Sequence, residues 1–125
     1  MPAVSPRRPD PADFLPLASD ATFILLALAA QPLHGYGIIR DVEARSDGQV
    51  VLQTGALYRM LRRLLQDGFI EERARPAGTE SDDERRRYYT LTPFGRSVLD
   101  AEVARMSKLV RAARLTAGGK RPRLV

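Results

Sequence analysis

The sequence has no cysteine and no tryptophan, and it has only one histidine. Without cysteine the chain has no disulfide bond, no thiolate nucleophile and no cysteine metal site, which fits a reducing compartment. A single histidine also excludes a metal site built from several imidazole ligands. We therefore expect neither a metal site nor a cofactor.

Long apolar segments are absent as well. The longest apolar run covers residues 23–30, whereas a helix that spans a membrane needs roughly 20 apolar residues. Acidic residues and prolines separate this run from Arg7 and Arg8, which is not the order found in a secretory signal. We therefore expect a cytoplasmic protein without a membrane partner.

Arrangements typical of an active site are missing too. The serines, the threonines and the one histidine show no pattern of a catalytic triad, and no glycine-rich phosphate loop occurs. We therefore do not expect an enzyme.

The residues that are present suit one small basic domain. Of the 125 residues, 44% are hydrophobic, and the net charge is +5. Chains of this size bury a smaller share of their surface than larger ones, so a second subunit would supplement the core. The positive charge favours polyanionic partners such as nucleic acid.

Capping and turn residues divide the chain into successive elements. Ser19, Thr54 and Thr92 are expected helix N-caps, and Gly48 and Gly68 are expected to end helices. The predicted elements are helices over 19–30, 35–46, 54–67 and 93–116, a short strand over 49–52, and hairpin strands over 69–75 and 85–92. The first helix is apolar on every side, which predicts burial all round.

This order predicts a mainly α fold with a small β-hairpin wing, that is, a winged helix-turn-helix domain over residues 19–92. A long C-terminal helix over 93–116 follows it. Four prolines in residues 1–13 predict a disordered N-terminal arm, and residues 117–125 read as a basic disordered tail.

The third helix separates into two faces when successive residues advance by about 100°. The apolar face comprises Leu57, Met60, Leu61, Leu64 and Leu65. The opposite face comprises Gly55, Tyr58, Arg59, Arg62, Arg63 and Gln66. Arginine can meet a phosphate or a guanine edge with two hydrogen bonds, and a helix fits the major groove of DNA. The alternative is an amphipathic helix whose arginines only face water.

The hairpin favours the DNA-binding interpretation, because it carries Arg85, Arg86 and Arg87. Such a basic wing grips the phosphate backbone and supplies position and affinity. The wing tip is acidic, at Glu80 and at residues 82–84, and phosphates would repel it. Either the tip projects past the DNA or its acids pair with the neighbouring arginines. The acidic residues lack the spacing of a calcium loop.

The last helix carries an apolar seam with spacings of 4, 3, 4 and 3 residues, which is a heptad pattern. The seam consists of Leu99, Val103, Met106, Val110 and Ala113. It predicts dimerisation, with Phe23 and Leu26 of the first helix meeting it. Val98 and Leu109 widen the stripe, so packing within one chain is the alternative.

Three further residues, one histidine and two adjacent tyrosines, could have a functional role. His34 precedes a helix, where a lone histidine serves as a local cap or a packing residue rather than a catalyst or a pH sensor. Tyr88 and Tyr89 alternate across a strand, so one is expected to pack inward beside Leu91 and the other to face outward.

Several motifs together resemble the PadR family of bacterial transcriptional regulators. They are FILLAL at 23–28, LHGYGI at 33–38, TGALYRMLRRL at 54–64, DGFI at 67–70 and RYYTLTPFGR at 87–96. The single C-terminal helix resembles the short branch of that family. The resemblance implies a homodimer with one recognition helix per subunit in the major groove of a palindromic operator. It also implies repression of a nearby gene, relieved by a small-molecule effector.

Site residues follow from the resemblance position by position. Tyr36 would lie near the DNA backbone, and Arg85 to Arg87 would grip it. The groove would receive Gln53, Thr54, Gly55, Tyr58 and Arg59. Arg59 departs from the family, which often has proline there.

The effector pocket departs from the family more clearly. Relatives bind flat aromatic compounds near the dimer interface, and some stack them on a tryptophan that this chain lacks. Phe94, Met106 and Tyr89 are the candidate substitutes. The competing hypothesis for the whole protein is a winged-helix protein-interaction module that does not bind DNA.

Overall fold

The computed structural model describes residues 9–74 and 87–118, which form a mainly helical domain with one small sheet. The elements are a 3-10 helix at Pro11–Phe14, α1 at Ser19–Ala30, β1 at Leu33–His34, α2 at Gly35–Arg45, α3 at Thr54–Gln66, β2 at Ile70–Arg73, β3 at Tyr88–Leu91 and α4 at Pro93–Gly118. Three helices precede an antiparallel strand pair and a long last helix. The predicted winged helix-turn-helix fold is therefore confirmed.

The sheet has the strand order β1-β3-β2, and both pairings are antiparallel. Ile70 pairs with Leu91 in the wing, and Leu33 pairs with Tyr89 on the other edge of β3. The wing strands are shorter than predicted, over 70–73 and 88–91. Residues 75–86, which include Arg85, Arg86 and the acidic tip, lie outside the described residues.

The predicted strand at residues 49–52 is wrong. The backbone N–H of Val50 donates to Ser46 Oγ at 2.9 Å, and Leu52 turns its side chain into the core. The open edge of β3 is occupied instead by Leu33 and His34. Two residues are too few to show the alternation by which a strand is recognised in a sequence.

The core lies where α1 packs against α2 and α4. Ile24, Leu25 and Leu28 of α1 are buried there, whereas Phe23 and Leu26 remain half-buried. The predicted burial of α1 all round is therefore wrong for a single chain. The other helices and the sheet contribute Ile38, Val42, Leu57, Leu61, Leu64, Phe69, Ile70, Tyr89, Val98 and Leu99 to the same core.

Two of the three predicted side-chain caps are wrong. Ser19 and Thr54 occupy the first helical positions, while Ala18 and Gln53 are the N-caps and make no side-chain capping bond. Thr92 caps α4 as predicted, because its Oγ1 accepts from the backbone N–H of Gly95 at 2.9 Å. His34 also caps a helix, since its Nδ1 accepts from the backbone N–H of Gly37 at 3.1 Å.

The prediction of a disordered arm through residue 13 is wrong at its end. Asp10 caps the 3-10 helix by accepting from the backbone N–H of Ala12 at 2.9 Å. Phe14 then packs edge-on against Phe69 and Phe94. Proline is compatible with such a first turn because its ring fixes a helical φ. Residues 1–8 lie outside the described residues.

The last helix extends beyond the predicted end, so the tail does not begin at residue 117. Residues 119–125 lie outside the described residues. Val98 and Leu99 pack in the core of their own chain. Leu99 therefore contributes to the core of its own chain, and the predicted seam is exposed from Val103 onward.

Candidate nucleic-acid interface

The two faces of α3 lie as the periodicity predicts. Leu57, Leu61 and Leu64 are at most 3% exposed and hold the helix on the core. The residues of the opposite face are exposed: Gly55, Tyr58, Arg59, Arg62, Arg63 and Gln66. Burial of one face therefore fixes the direction in which the arginines project.

The arginines on this face are largely available to a ligand. Arg63 Nε lies 3.7 Å from Asp67 Oδ2, and the Arg63 side chain is 78% exposed. Among residues 9–74 and 87–118, no acidic group pairs with Arg59 or Arg62. A β-carbon added at Gly55 would lie 3.6 Å from Arg59 Nη1, so the guanidinium of Arg59 reaches back toward the start of α3.

Tyr58 joins α3 to α2. A β-carbon at Gly35 would come within 2.4 Å of Tyr58 Oη and 3.0 Å of its Cζ. The tyrosine ring therefore rests on the first residue of α2, where a glycine leaves room for it. Because Tyr58 is still 45% exposed, it both positions α3 and contributes to the exposed surface.

A second exposed group lies at the start of α2. Tyr36 is 59% exposed, and its ring lies parallel to that of His34 at a centroid distance of 6.5 Å. The guanidinium of Arg40 lies 5.7 Å from the Tyr36 ring centroid, and Tyr88 meets His34 edge-on at 5.6 Å. Arg40 was not predicted as a site residue, although its spacing of four from Tyr36 places both on one helix face.

The wing strands orient the two adjacent tyrosines differently. Tyr89 is buried in the core and Tyr88 is half-buried, as the alternation predicts. Burial raises the pKa of Tyr89, and the negative charge of the nearby Glu72 carboxylate raises it further. Arg87 is exposed at the start of β3.

The far part of α4 exposes an apolar surface, which we call the α4 stripe. It consists of Val103, Met106, Leu109, Val110 and Leu115, which are between 41% and 67% exposed. An open groove along it also contacts Ser107, Arg111 and Arg114. The predicted seam residues 103, 106, 110 and 113 are all exposed.

The three candidate effector residues do not share a site within one chain. Phe94 packs against Phe14 and Phe69, whereas Tyr89 is buried in the core from strand β3. Met106 lies on the α4 stripe, twelve residues after Phe94 and hence about 18 Å away along the helix. Of the three, only Met106 lines the open groove on α4.

One buried acid was missed by the sequence analysis. Glu102 is 0% exposed and pairs with Arg105 through two contacts, Oε1 to Nε at 2.7 Å and Oε2 to Nη2 at 2.9 Å. These bonds, together with the nearby backbone N–H of Leu17, hold the pKa of Glu102 below its usual range. Its position beside Val103, which is 45% exposed, gives no sign of burial in the sequence.

Other kinds of site find no support in the described part of the chain. Residues 9–74 and 87–118 contain no cluster of three acidic or imidazole side chains that could hold a metal ion. None of the helices in those ranges combines the length and the apolar character that crossing a bilayer requires.

Known proteins resemble this chain in sequence. The model of the transcriptional regulator PadR-like family matches residues 24–101, more than half of the chain. A protein of Streptomyces fradiae, described as an uncharacterized 37.1 kDa protein in transposon TN4556, is 37% identical over 86 residues. That match covers 69% of this chain and only 22% of the relative.

Solved structures share the fold. A PadR family transcription regulator from Clostridium difficile R20291 has a TM-score of 0.64 and 20% identity, with 82% of this chain and 100% of that chain covered. PadR of Bacillus subtilis, solved in complex with operator DNA, has a TM-score of 0.55 and 28% identity. Here the match covers 66% of this chain and 46% of that chain.

Proposed function

Because this chain belongs to the PadR-like family of transcriptional regulators, we propose that it binds a palindromic operator on double-stranded DNA as a homodimer. The family consists of regulators and not of enzymes. The proposal rests on the exposed arginine face of α3. This face points to solvent because Leu57, Leu61 and Leu64 bury the opposite face in the core. The Bacillus subtilis relative was solved in complex with operator DNA, which supports DNA binding by this chain.

In this proposal α3 enters the major groove with its N-terminal end first. Gln53 makes no side-chain capping bond, so the first backbone N–H groups of α3, near Thr54 and Gly55, are available to a phosphate. Arg59 reaches back over the same turn. Arg62 and Arg63 meet phosphates or base edges further along, where their planar guanidinium groups give bidentate contacts.

Contacts outside the groove hold the duplex in place. Tyr36 is exposed, and Arg40 is ordered against its ring, so the start of α2 offers a phenol and a cation to one phosphate strand. Arg87, with Arg85 and Arg86, supplies the wing contact. Such contacts add affinity and orientation without reading sequence.

The homodimer forms through the α4 stripe. A stretch with five large apolar side chains at least 41% exposed is unusual on a monomeric surface and typical of an interface. The seam residues Val103, Met106, Val110 and Ala113 meet their counterparts, and the half-buried Phe23 and Leu26 extend the contact. A two-fold dimer presents two α3 helices to the two halves of a palindrome.

The regulatory role is repression, with release by a small aromatic effector. The groove beside Met106 and Val110 offers apolar contact, and Arg111 and Arg114 at its edge suit an anionic substituent. An aromatic molecule bound there would alter the packing of the two α4 helices and with it the distance between the recognition helices.

The test is binding of the purified protein to DNA from its own upstream region, titrated across salt with excess non-specific competitor. Competitor-resistant binding with a steep salt dependence is expected, because several phosphate contacts each release counterions. In vitro transcription from the same promoter should fall as protein is added. Weak binding that competitor erases would contradict the proposal and favour a protein-interaction module.

A further inference from the structure

The segment before α1 crosses the start of α4. We call residues 10–17 the N-terminal strap; its 3-10 helix packs on α4. The Phe14 ring meets Phe69 at 5.0 Å and Phe94 at 5.8 Å, both edge-on. Phe69 follows the turn that ends α3, and Phe94 lies in the first turn of α4, so one strap residue bridges the two helices.

The first turn of α4 is itself clamped to the end of α3. The backbone N–H of Thr92 donates to Phe69 O at 3.0 Å, and Thr92 Oγ1 donates to Gly68 O at 2.6 Å. A β-carbon at Gly95 would lie 2.0 Å from Phe69 O. These two hydrogen bonds and the close approach at Gly95 fix the start of α4 relative to the end of α3.

The strap supplies a second anchor further along α4. Glu102 is 0% exposed, its carboxylate accepts two hydrogen bonds from Arg105, and the backbone N–H of Leu17 lies close enough to help lower its pKa. A buried carboxylate is costly unless donors surround it, and its hydrogen bonds are directional. An apolar residue would fill the space equally well, whereas the acid fixes where the strap lies on the helix.

Two anchors determine the direction of a helix, whereas one would let it pivot. Glu102 follows Phe94 by eight residues, about 12 Å along α4. Another sixteen residues, about 24 Å, extend from Glu102 to Gly118 and carry the α4 stripe. A tilt of about 10° would move the far end by about 4 Å, more than the rise of about 3.4 Å between base pairs.

We infer that Glu102 and Phe14 are positioning residues that set the distance between the two α3 helices of the dimer. They thereby select the spacing between operator half-sites. This inference rests on the dimer of the proposed function. The strap and Glu102 both lie outside residues 24–101, the part that matches the family model. Half-site spacing is thus set by different residues from those that contact the bases.

The distance between the two α3 helices is measured directly with spin labels. The chain has no cysteine, so Gln66→Cys gives one labelling site per subunit, on the exposed face of α3. Pulsed dipolar spectroscopy of the otherwise unchanged dimer should give one narrow distance. Glu102→Gln, and separately Phe14→Ala, should broaden the distribution at least about twofold while the dimer persists, since each removes one anchor.

Asp100→Asn is the matched control, because it neutralises an exposed carboxylate on the same helix, and it should leave the distance unchanged. If Glu102→Gln does not fold, the distance distribution of Phe14→Ala tests the inference in its place. An unchanged distribution in a dimeric variant overturns the inference. A monomeric wild type in sizing experiments overturns the inference together with the dimer of the proposed function.

Operators with altered half-site spacing provide the second readout. The affinity of the wild type should fall at least about tenfold when the spacing changes by one base pair. For Glu102→Gln and for Phe14→Ala, the affinities for the two spacings should differ by less than about threefold. A merely structural loss would lower affinity for every spacing alike, and that result overturns the inference. Failure of the wild type to bind any operator contradicts the proposed function alone, since the spin-label distances do not depend on DNA.

Discussion

The hydroxyl of Tyr58 lies over the α-carbon of Gly35, where an added β-carbon would come within 2.4 Å of it. This contact joins the recognition helix α3 to the first residue of α2. Tyr58 is 45% exposed, so its ring has open space into which it can rotate.

Gly35→Ala should therefore impair DNA binding more than stability. We expect Tyr58 to rotate away, with a loss of less than about 1.5 kcal/mol in the free energy of unfolding because the clashing group is the end of a side chain. Operator affinity should fall several-fold. Urea denaturation and gel-shift titration measure the two effects. Gly35→Ala should cost no stability in a Tyr58→Ala background, and an equal cost with and without Tyr58 would contradict the assigned contact.

Gly95→Ala should behave in the opposite way, because its β-carbon would lie 2.0 Å from Phe69 O, a backbone atom. The first turn of α4 would have to move, at a cost of about 3 kcal/mol in the free energy of unfolding. Gly55→Ala is the control. Its β-carbon meets only Arg59 Nη1 at 3.6 Å, and alanine is favoured over glycine in helices by up to about 1 kcal/mol. Equal stability of the two variants in urea would contradict the clamp at α4.

Acid should weaken the contact at Glu102. Its pKa is lowered in the folded state, so the contribution of its charge to stability is present above the usual glutamate pKa of about 4.3. That contribution is lost as the pH falls through the lower folded-state pKa. The difference in unfolding free energy between wild type and Glu102→Gln should therefore shrink below about pH 4.3. If the difference in unfolding free energy between wild type and Glu102→Gln instead grew as the pH falls, the ion pair would be contradicted.

Dimerisation should depend on the α4 stripe. Val110→Glu places a charge where Val110 is 47% exposed in the single chain and would be buried between two chains. We expect monomers in sedimentation experiments with an unchanged helix content, because burying an unpaired carboxylate costs several kcal/mol. Ala104→Glu makes the same charge change about 120° around the helix from Val110, at an exposed position outside the α4 stripe and its groove, and should remain dimeric. Dimers of Val110→Glu at micromolar concentration would place the interface elsewhere.

The sequence predicted those parts of the fold that depend on a strong local period. Leucines recurring on α3 identified both faces of the helix, and Thr92 followed by Pro93 located the start of α4. Strand β1 escaped prediction because Leu33 and His34 pair only with a distant partner. This pairing depends on the free backbone groups along the edge of β3 and not on a pattern of side chains in β1.

Long-range packing also explains what was missed near the interface. Glu102 looks like a surface residue in the sequence, yet it is 0% exposed, and Phe14 looks like part of a proline-rich arm, yet it packs against Phe69 and Phe94. The periodicity of α4 likewise could not separate Leu99, which packs on its own chain, from Val103, which is exposed. Both lie on one helical stripe, and only the position of α1 distinguishes them.

The most direct test of the central claim compares two pairs of cationic residues in binding to the upstream DNA. Arg59→Ala with Arg62→Ala removes two charges from the exposed face of α3, and Arg96→Ala with Lys108→Ala removes two exposed charges from α4. The α3 variant should lose at least about a hundredfold in affinity, since each bidentate contact contributes about 1–3 kcal/mol. The α4 variant should stay within about threefold of the wild type, as expected for a general change in net charge. Equal losses in the two dimeric variants would contradict the assignment of α3 as the recognition helix.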